Sequence, residues 1–148
     1  MTTAMQRENV IRSTMNIEPL ITRARTVVFF DGGCPLCSKE IRHYARLDRE
    51  DRMEWIDISK DRDLLAAFGI TYEQAMRRLH VLDRNGVLVD GARAFLAIWS
   101  ELPRYRVLSR LVYAFRALNA LEAAYSRFAD RRYASRCRTI ACSVQTTG

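Results

Sequence analysis

A chain of 148 residues favours one domain, and a 49% hydrophobic content is ordinary for a fold that buries a real core. Aromatic residues make up 9%, and six glycines with three prolines exclude a fibrous or disordered class. The net charge of +7 rests on arginine, since Lys39 and Lys60 are the two lysines, and residues 101–148 hold nine Arg against Glu101, Glu122 and Asp130. A solvated helix face is the first reading of that basic flank. No nucleic-acid partner is expected, while peripheral contact with an anionic membrane surface stays open, and an interaction module docking through the basic C-terminal helix is an alternative reading of the chain.

Residues 1–24 lack a clear period and read as a loose N-terminal arm. They carry no apolar run of about 7–15 residues, and no stretch reaches the ~20 apolar residues of a spanning helix. The expectation is a cytoplasmic chain whose thiols are kept reduced, where a CxxC is catalytic or metal-binding rather than a structural disulfide.

Thr26–Phe30 (TVVFF) reads as a buried strand, bounded by Asp31-Gly-Gly33. Pro35 suits the first turn of a helix over about 35–48, with Ile41, Tyr44, Ala45 and Leu47 at helical spacing. Residues 53–58 alternate as a second strand. Residues 61–68 form a short helix closed by Gly69, and Thr71 with Gln74 opens another through a capping box. Residues 79–82 and 87–89 flank Asp83-Arg-Asn-Gly86, a hairpin signal. Residues 92–102 form a helix that Pro103 ends. Beyond it Tyr105, Leu108, Val112, Phe115, Leu118, Leu121, Tyr125 and Phe128 recur every three or four residues. That stripe reads as helix with core packing rather than a membrane face.

The order β-α-β-α-β-β-α makes the first two strands parallel and the last pair a hairpin. It is the order of a thioredoxin-like α/β core: a mixed sheet with helices on both faces. The domain reading is an arm at 1–24, the core at 25–102, and a basic helical extension at 103–148 packed on the core, its tail flexible.

Cys34-Pro35-Leu36-Cys37 then falls at the C-terminal edge of the first strand, where open α/β sheets keep their sites. A helix N-terminus stabilises a thiolate at Cys34, below the free value of ~8.5. Cys34 is the expected attacking nucleophile, and Cys37, turned inward, resolves the mixed disulfide. Pro35 fixes the turn, and Leu36 is apolar and proximal to substrate. Asp31 has two readings: proton acceptor for Cys37, or a turn residue capping backbone amides. Gly32 and Gly33 permit positive φ and close backbone approach. The rival to a redox site is a zinc site from Cys34, Cys37, Cys137 and Cys142. The Cys-x₄-Cys spacing and the missing glycine-rich knuckle favour redox, with no cofactor beyond the dithiol and no metal. Cys137 and Cys142 otherwise form a disulfide, a second resolving pair, or nothing chemical. His43 reads as solvent-exposed.

Asp31-Gly-Gly-Cys34-Pro-Leu-Cys37, Leu79-His80-Val81-Leu82-Asp83, Gly91-Ala92-Arg93-Ala94-Phe95, Trp99, Leu102-Pro103 and Tyr125…Ala129-Asp130-Arg131-Arg132-Tyr133 together resemble the DCC family of thiol-disulfide oxidoreductases. The likeness covers about residues 26–134. It implies a thioredoxin-like fold and CxxC redox activity on a thiol or disulfide substrate, protein or small molecule, with an unidentified reductant. Asp31, Cys34 and Cys37 carry over directly. Thioredoxins proper place a cis-proline before the third strand, facing the dithiol. Here prolines stand at 19, 35 and 103 alone, so His80 is the expected neighbour of the site and backbone docking of substrate there is in doubt.

Overall fold

The structure, a computed structural model, describes residues 25–145, and for residue 137 and residues 139–145 it describes the backbone alone. The arm expected at 1–24 lies outside the described residues.

Strand β1 (Thr26–Phe30) is central, which is why its apolar run is unbroken: Val27, Val28 and Phe29 are fully buried. The sheet order is β2-β1-β3-β4. Strand β2 (Met53–Asp57) runs parallel to β1, reached through helix α1 (Pro35–Leu47). Strand β3 (His80–Leu82) is antiparallel to β1, placing His80 opposite Phe29, and β4 (Leu88–Asp90) closes a hairpin on β3.

Alternation along β1 makes two cores. Val27 and Phe29 pack with Ile56, with Leu65 of α2 (Asp63–Ala67) and with Met76 of α3 (Tyr72–Arg77). Val28 packs on the other face with Ile41 and Tyr44 of α1 and with Ala94 and Ile98 of α4 (Gly91–Glu101). Each buried Val, Ile, Leu, Phe or Met among them contributes about 1.5–3 kcal/mol. The layers are those of a thioredoxin-like fold.

Local chemistry sets the joints. Thr71 Oγ1 accepts the Gln74 N–H at 3.1 Å while Gln74 Oε1 accepts the Thr71 N–H at 2.9 Å, the reciprocal capping box. The hairpin turn closes on the Asp83 carboxylate, which accepts the N–H groups of Asn85 and Val87, and Gly86 supplies φ +79°.

The single helix expected beyond Pro103 is two: α5 (Arg106–Ala114) and α6 (Leu118–Gln145). Arg116 takes φ +51° at the joint. Both pieces pack on α4, and α6 also meets α3, so the chain must change direction to use both surfaces. The expected packing of the apolar stripe holds in part: Tyr105 packs on the Val28 core and Tyr125 meets Phe95. Leu108, Phe115 and Phe128 are exposed, and the buried residue of α5 is Ser109.

Candidate active site

The chain leaves β1 at Phe30, turns through residues 31–33, and starts α1 at Pro35. Proline costs nothing there because the first helical N–H has no partner inside the helix. Cys34 is the N-cap, at φ −93° and ψ 116°, and its carbonyl accepts the Ser38 N–H at 2.9 Å. Its side chain therefore sits beside the free amides of the first turn.

The two glycines are required by close approach, not by backbone sign. Neither takes a positive φ, which corrects that part of the expectation. The Gly32 N–H donates to Asp57 Oδ1 at 2.9 Å, and a Cβ on Gly32 would lie 2.0 Å from Asp57 Oδ2. A Cβ on Gly33 would lie 2.4 Å from Nη2 of Arg136.

Arg136 belongs to α6, and so does a second arginine that reaches the dithiol. Arg132 puts Nη1 3.2 Å from Cys37 Sγ, and its Nη2 donates to the carbonyls of Met76 at 2.6 Å and Arg77 at 3.2 Å, at the end of α3. Arg136 grips Asp31 with two bonds, Nε to Oδ2 at 3.1 Å and Nη2 to Oδ1 at 3.3 Å. Asp31 also accepts the Gly33 N–H at 3.0 Å and lies 3.9 Å from Nη1 of Arg132. The Asp31 side chain is 1% exposed and that of Arg132 is 9% exposed.

Both thiols are free. Burial works against a charge on Cys34. It is outweighed by the Cys37 N–H, the Cys37 thiol and the Arg132 guanidinium, so the Cys34 thiol ionises below its ordinary range. Cys37 is pushed up to about 12, first by burial, against the pull of Arg132, and further by donating its S–H to Cys34 and by the charges of Cys34 and Asp31. One proton and two unequal sulfurs is the state of a poised dithiol.

Exposure runs the other way from ionisation. Cys34 is 4% exposed, whereas Cys37 is half-buried and lines an apolar cleft with Leu36, Ile41, Leu79, Phe95, Tyr125 and Phe128. Pro35, at the start of α1, is exposed. His80 is buried with Nδ1 2.8 Å from the Arg78 carbonyl, and burial, ahead of the pull of that bond, lowers its pKa. The residue before it, Leu79, is the one that faces the cleft. Its N–H donates to the Tyr125 hydroxyl at 2.8 Å and its carbonyl accepts the Gly91 N–H at 3.0 Å. His43 is exposed as expected and shares a 2.8 Å hydrogen bond with the Tyr105 hydroxyl. The side chains of Cys137 and Cys142 lie outside the described residues, and among the described residues no three His, Cys, Asp or Glu side chains gather as a metal site.

Arg132, Arg136 and Tyr125 were absent from the expected site. The available signal was helical spacing: Tyr125, Ala129, Arg132 and Arg136 fall on one face of one helix.

The family model DCC1-like, described as DCC1-like thiol-disulfide oxidoreductase, matches residues 28–138. An uncharacterized chloroplastic protein of Arabidopsis thaliana is 28% identical over 87 residues, which are 57% of this chain and 41% of that relative. The matched stretch thus spans less than half the length of the relative. No solved structure matches.

Proposed function

The chain belongs to the DCC1-like thiol-disulfide oxidoreductase family, and from that premise we propose that it reduces disulfides with Cys34 as the attacking thiolate and Cys37 as the resolving thiol. The observation that carries the reading is the unequal pair: Cys34 lowered and Cys37 pushed up to about 12 within one CPLC turn, under one buried arginine.

The thiolate of Cys34 attacks one sulfur of a substrate disulfide. A Cys34–substrate S–S bond forms, the substrate S–S bond breaks, and the departing thiolate takes a proton from solvent. Cys34 then carries no charge, which removes two of the influences holding the Cys37 proton: the hydrogen bond to Cys34 and the repulsion from it. Cys37 gives up that proton and attacks the Cys34 sulfur. The Cys34–Cys37 disulfide forms, and the second substrate thiolate leaves with the proton. The substrate gains two electrons and the dithiol loses two. Two equivalents of a small-molecule thiol, with the cytoplasm proposed as their compartment, return the disulfide to the dithiol by two exchanges and leave as their own disulfide.

Of the two readings of Asp31, the contacts favour positioning. Its oxygens are engaged by Gly33, Arg136 and Arg132, and in this role it holds the two guanidiniums over the dithiol. Recognition falls to side chains. Both main-chain groups of Leu79 are already taken, so an incoming strand finds no free pair there, and the apolar cleft between Leu36 and Phe128 is the contact surface. Leu36 lines it, Pro35 is the exposed residue before Leu36, and His80 follows Leu79 on β3.

The test is equilibration of the pure protein in a graded thiol–disulfide redox buffer, with Cys34 and Cys37 read by mass spectrometry. A reversible Cys34–Cys37 disulfide supports the reading. A dithiol that never cycles in any couple removes it.

A further inference from the structure

Helix α5 wears its apolar side outward. Ser109 is buried, and Arg106 on the same side bonds the Ser100 carbonyl of α4 at 3.1 Å through Nε. Val107, Leu108, Leu111 and Phe115 fall within one arc of the helix and are all exposed, Val107 by 60% and Phe115 by 77%. A helix that only packed on its own domain would place these side chains inward and the serine outward. An exposed, contiguous apolar arc of this kind marks a docking surface.

Charge names the occupant. Between Leu102 and Leu121 there is no Asp or Glu, while Arg104 precedes the helix, Arg110 flanks Val107 one turn on, and Arg116 follows it. All three are exposed, and among the described residues none of the three is in an ion pair. Apolar side chains in one arc with unpaired arginines around it are what an interfacial helix needs. The arc enters the acyl boundary, and the guanidiniums meet anionic headgroups. A second copy of this face would bring the same uncompensated arginines together and be repelled. We propose that α5 is an amphipathic docking helix for an anionic lipid surface. The proposal goes beyond the redox reading and does not depend on it.

Full-length protein is sedimented with vesicles of phosphatidylcholine alone and of phosphatidylcholine mixed with phosphatidylglycerol. The expected result is binding to the mixed vesicles only, weakened by salt, weakened roughly five-fold by each of Arg104→Gln, Arg110→Gln and Arg116→Gln, and abolished by Leu111→Glu. Near-ultraviolet circular dichroism checks that each variant is folded. Phe115→Trp, made without other change, adds an independent readout: its fluorescence shifts to the blue on mixed vesicles. Absence of sedimentation with mixed vesicles overturns the proposal, as does binding that Leu111→Glu leaves intact. A concentration-dependent dimer that Leu111→Glu dissolves, with no vesicle binding, also overturns it, in favour of a second copy.

Discussion

Arg136 and Asp31 are 105 residues apart in sequence and joined by two hydrogen bonds, at 3.1 and 3.3 Å. That contact ties the last described turn of side chains on α6 to the turn before the dithiol. It crosses Gly33 so closely that a side chain there would displace the Arg136 guanidinium. Cys34, 4% exposed, lies under this strap. The thiol best suited to attack is thus the less exposed of the two, beside a contact made by α6.

Breaking the strap is therefore expected to uncover Cys34. Arg136→Ala and Asp31→Asn each increase the rate at which a bulky alkylating reagent modifies Cys34, after correction for thiolate fraction. A small reagent is affected less, because it needs less clearance. Asp31→Asn also separates the two readings of that carboxylate. Its charge raises the Cys37 pKa. A positioning residue leaves the resolving step as fast as before or faster, whereas loss of a proton acceptor slows it in single-turnover kinetics.

Arg132 acts on both sulfurs from one buried position. Arg132→Gln removes the positive charge that favours the Cys34 thiolate, so the Cys34 pKa rises and its alkylation at neutral pH slows by roughly ten-fold, the effect of about one pKa unit. The same variant loses the bonds to the Met76 and Arg77 carbonyls, at an expected cost of about 2–4 kcal/mol in denaturant unfolding. In the native chain the pH profile of alkylation is expected to split. Cys34 reacts first, as pH rises through a value below that of a free thiol, while Cys37, held up to about 12 beside the Cys34 thiolate, reacts only after Cys34 has lost its charge.

Tyr125 closes a main-chain donor beside the cleft. Tyr125→Phe leaves the Leu79 N–H without its 2.8 Å partner, costing about 1–2 kcal/mol of stability. If substrate recognition rests on side chains, turnover of a peptide disulfide changes little once the folded fraction is held constant. A gain in peptide affinity would mean that the freed N–H docks a substrate strand.

What could be read from sequence was local. Val27–Phe29, Pro35, the Thr71–Gln74 box and Asn85-Gly86 each act within a few residues, and strand order followed from them. The break at Arg116 could not be read, because neither glycine nor proline marks it and the cause is the separate packing of α5 and α6 on α4. For Gly32 and Gly33 a close approach is legible in sequence but its source is not: a carboxylate from β2 and a guanidinium from α6. The site was half visible for the same reason. Asp31, Cys34 and Cys37 are contiguous, whereas Arg132 and Arg136 reach them only after the chain has closed on itself. The stripe on α5 has the right period, but period alone does not say which way a helix faces.

The division of labour between the two sulfurs is tested most directly by trapping. Cys37→Ser protein is mixed with a model disulfide such as oxidised glutathione, and the adducts are mapped by mass spectrometry, with Cys34→Ser as the counterpart. A stable mixed disulfide on Cys34 in the first variant, and none on Cys37 in the second, is the expected result. An adduct that forms on Cys37 in Cys34→Ser as readily as on Cys34 in Cys37→Ser would contradict the assignment.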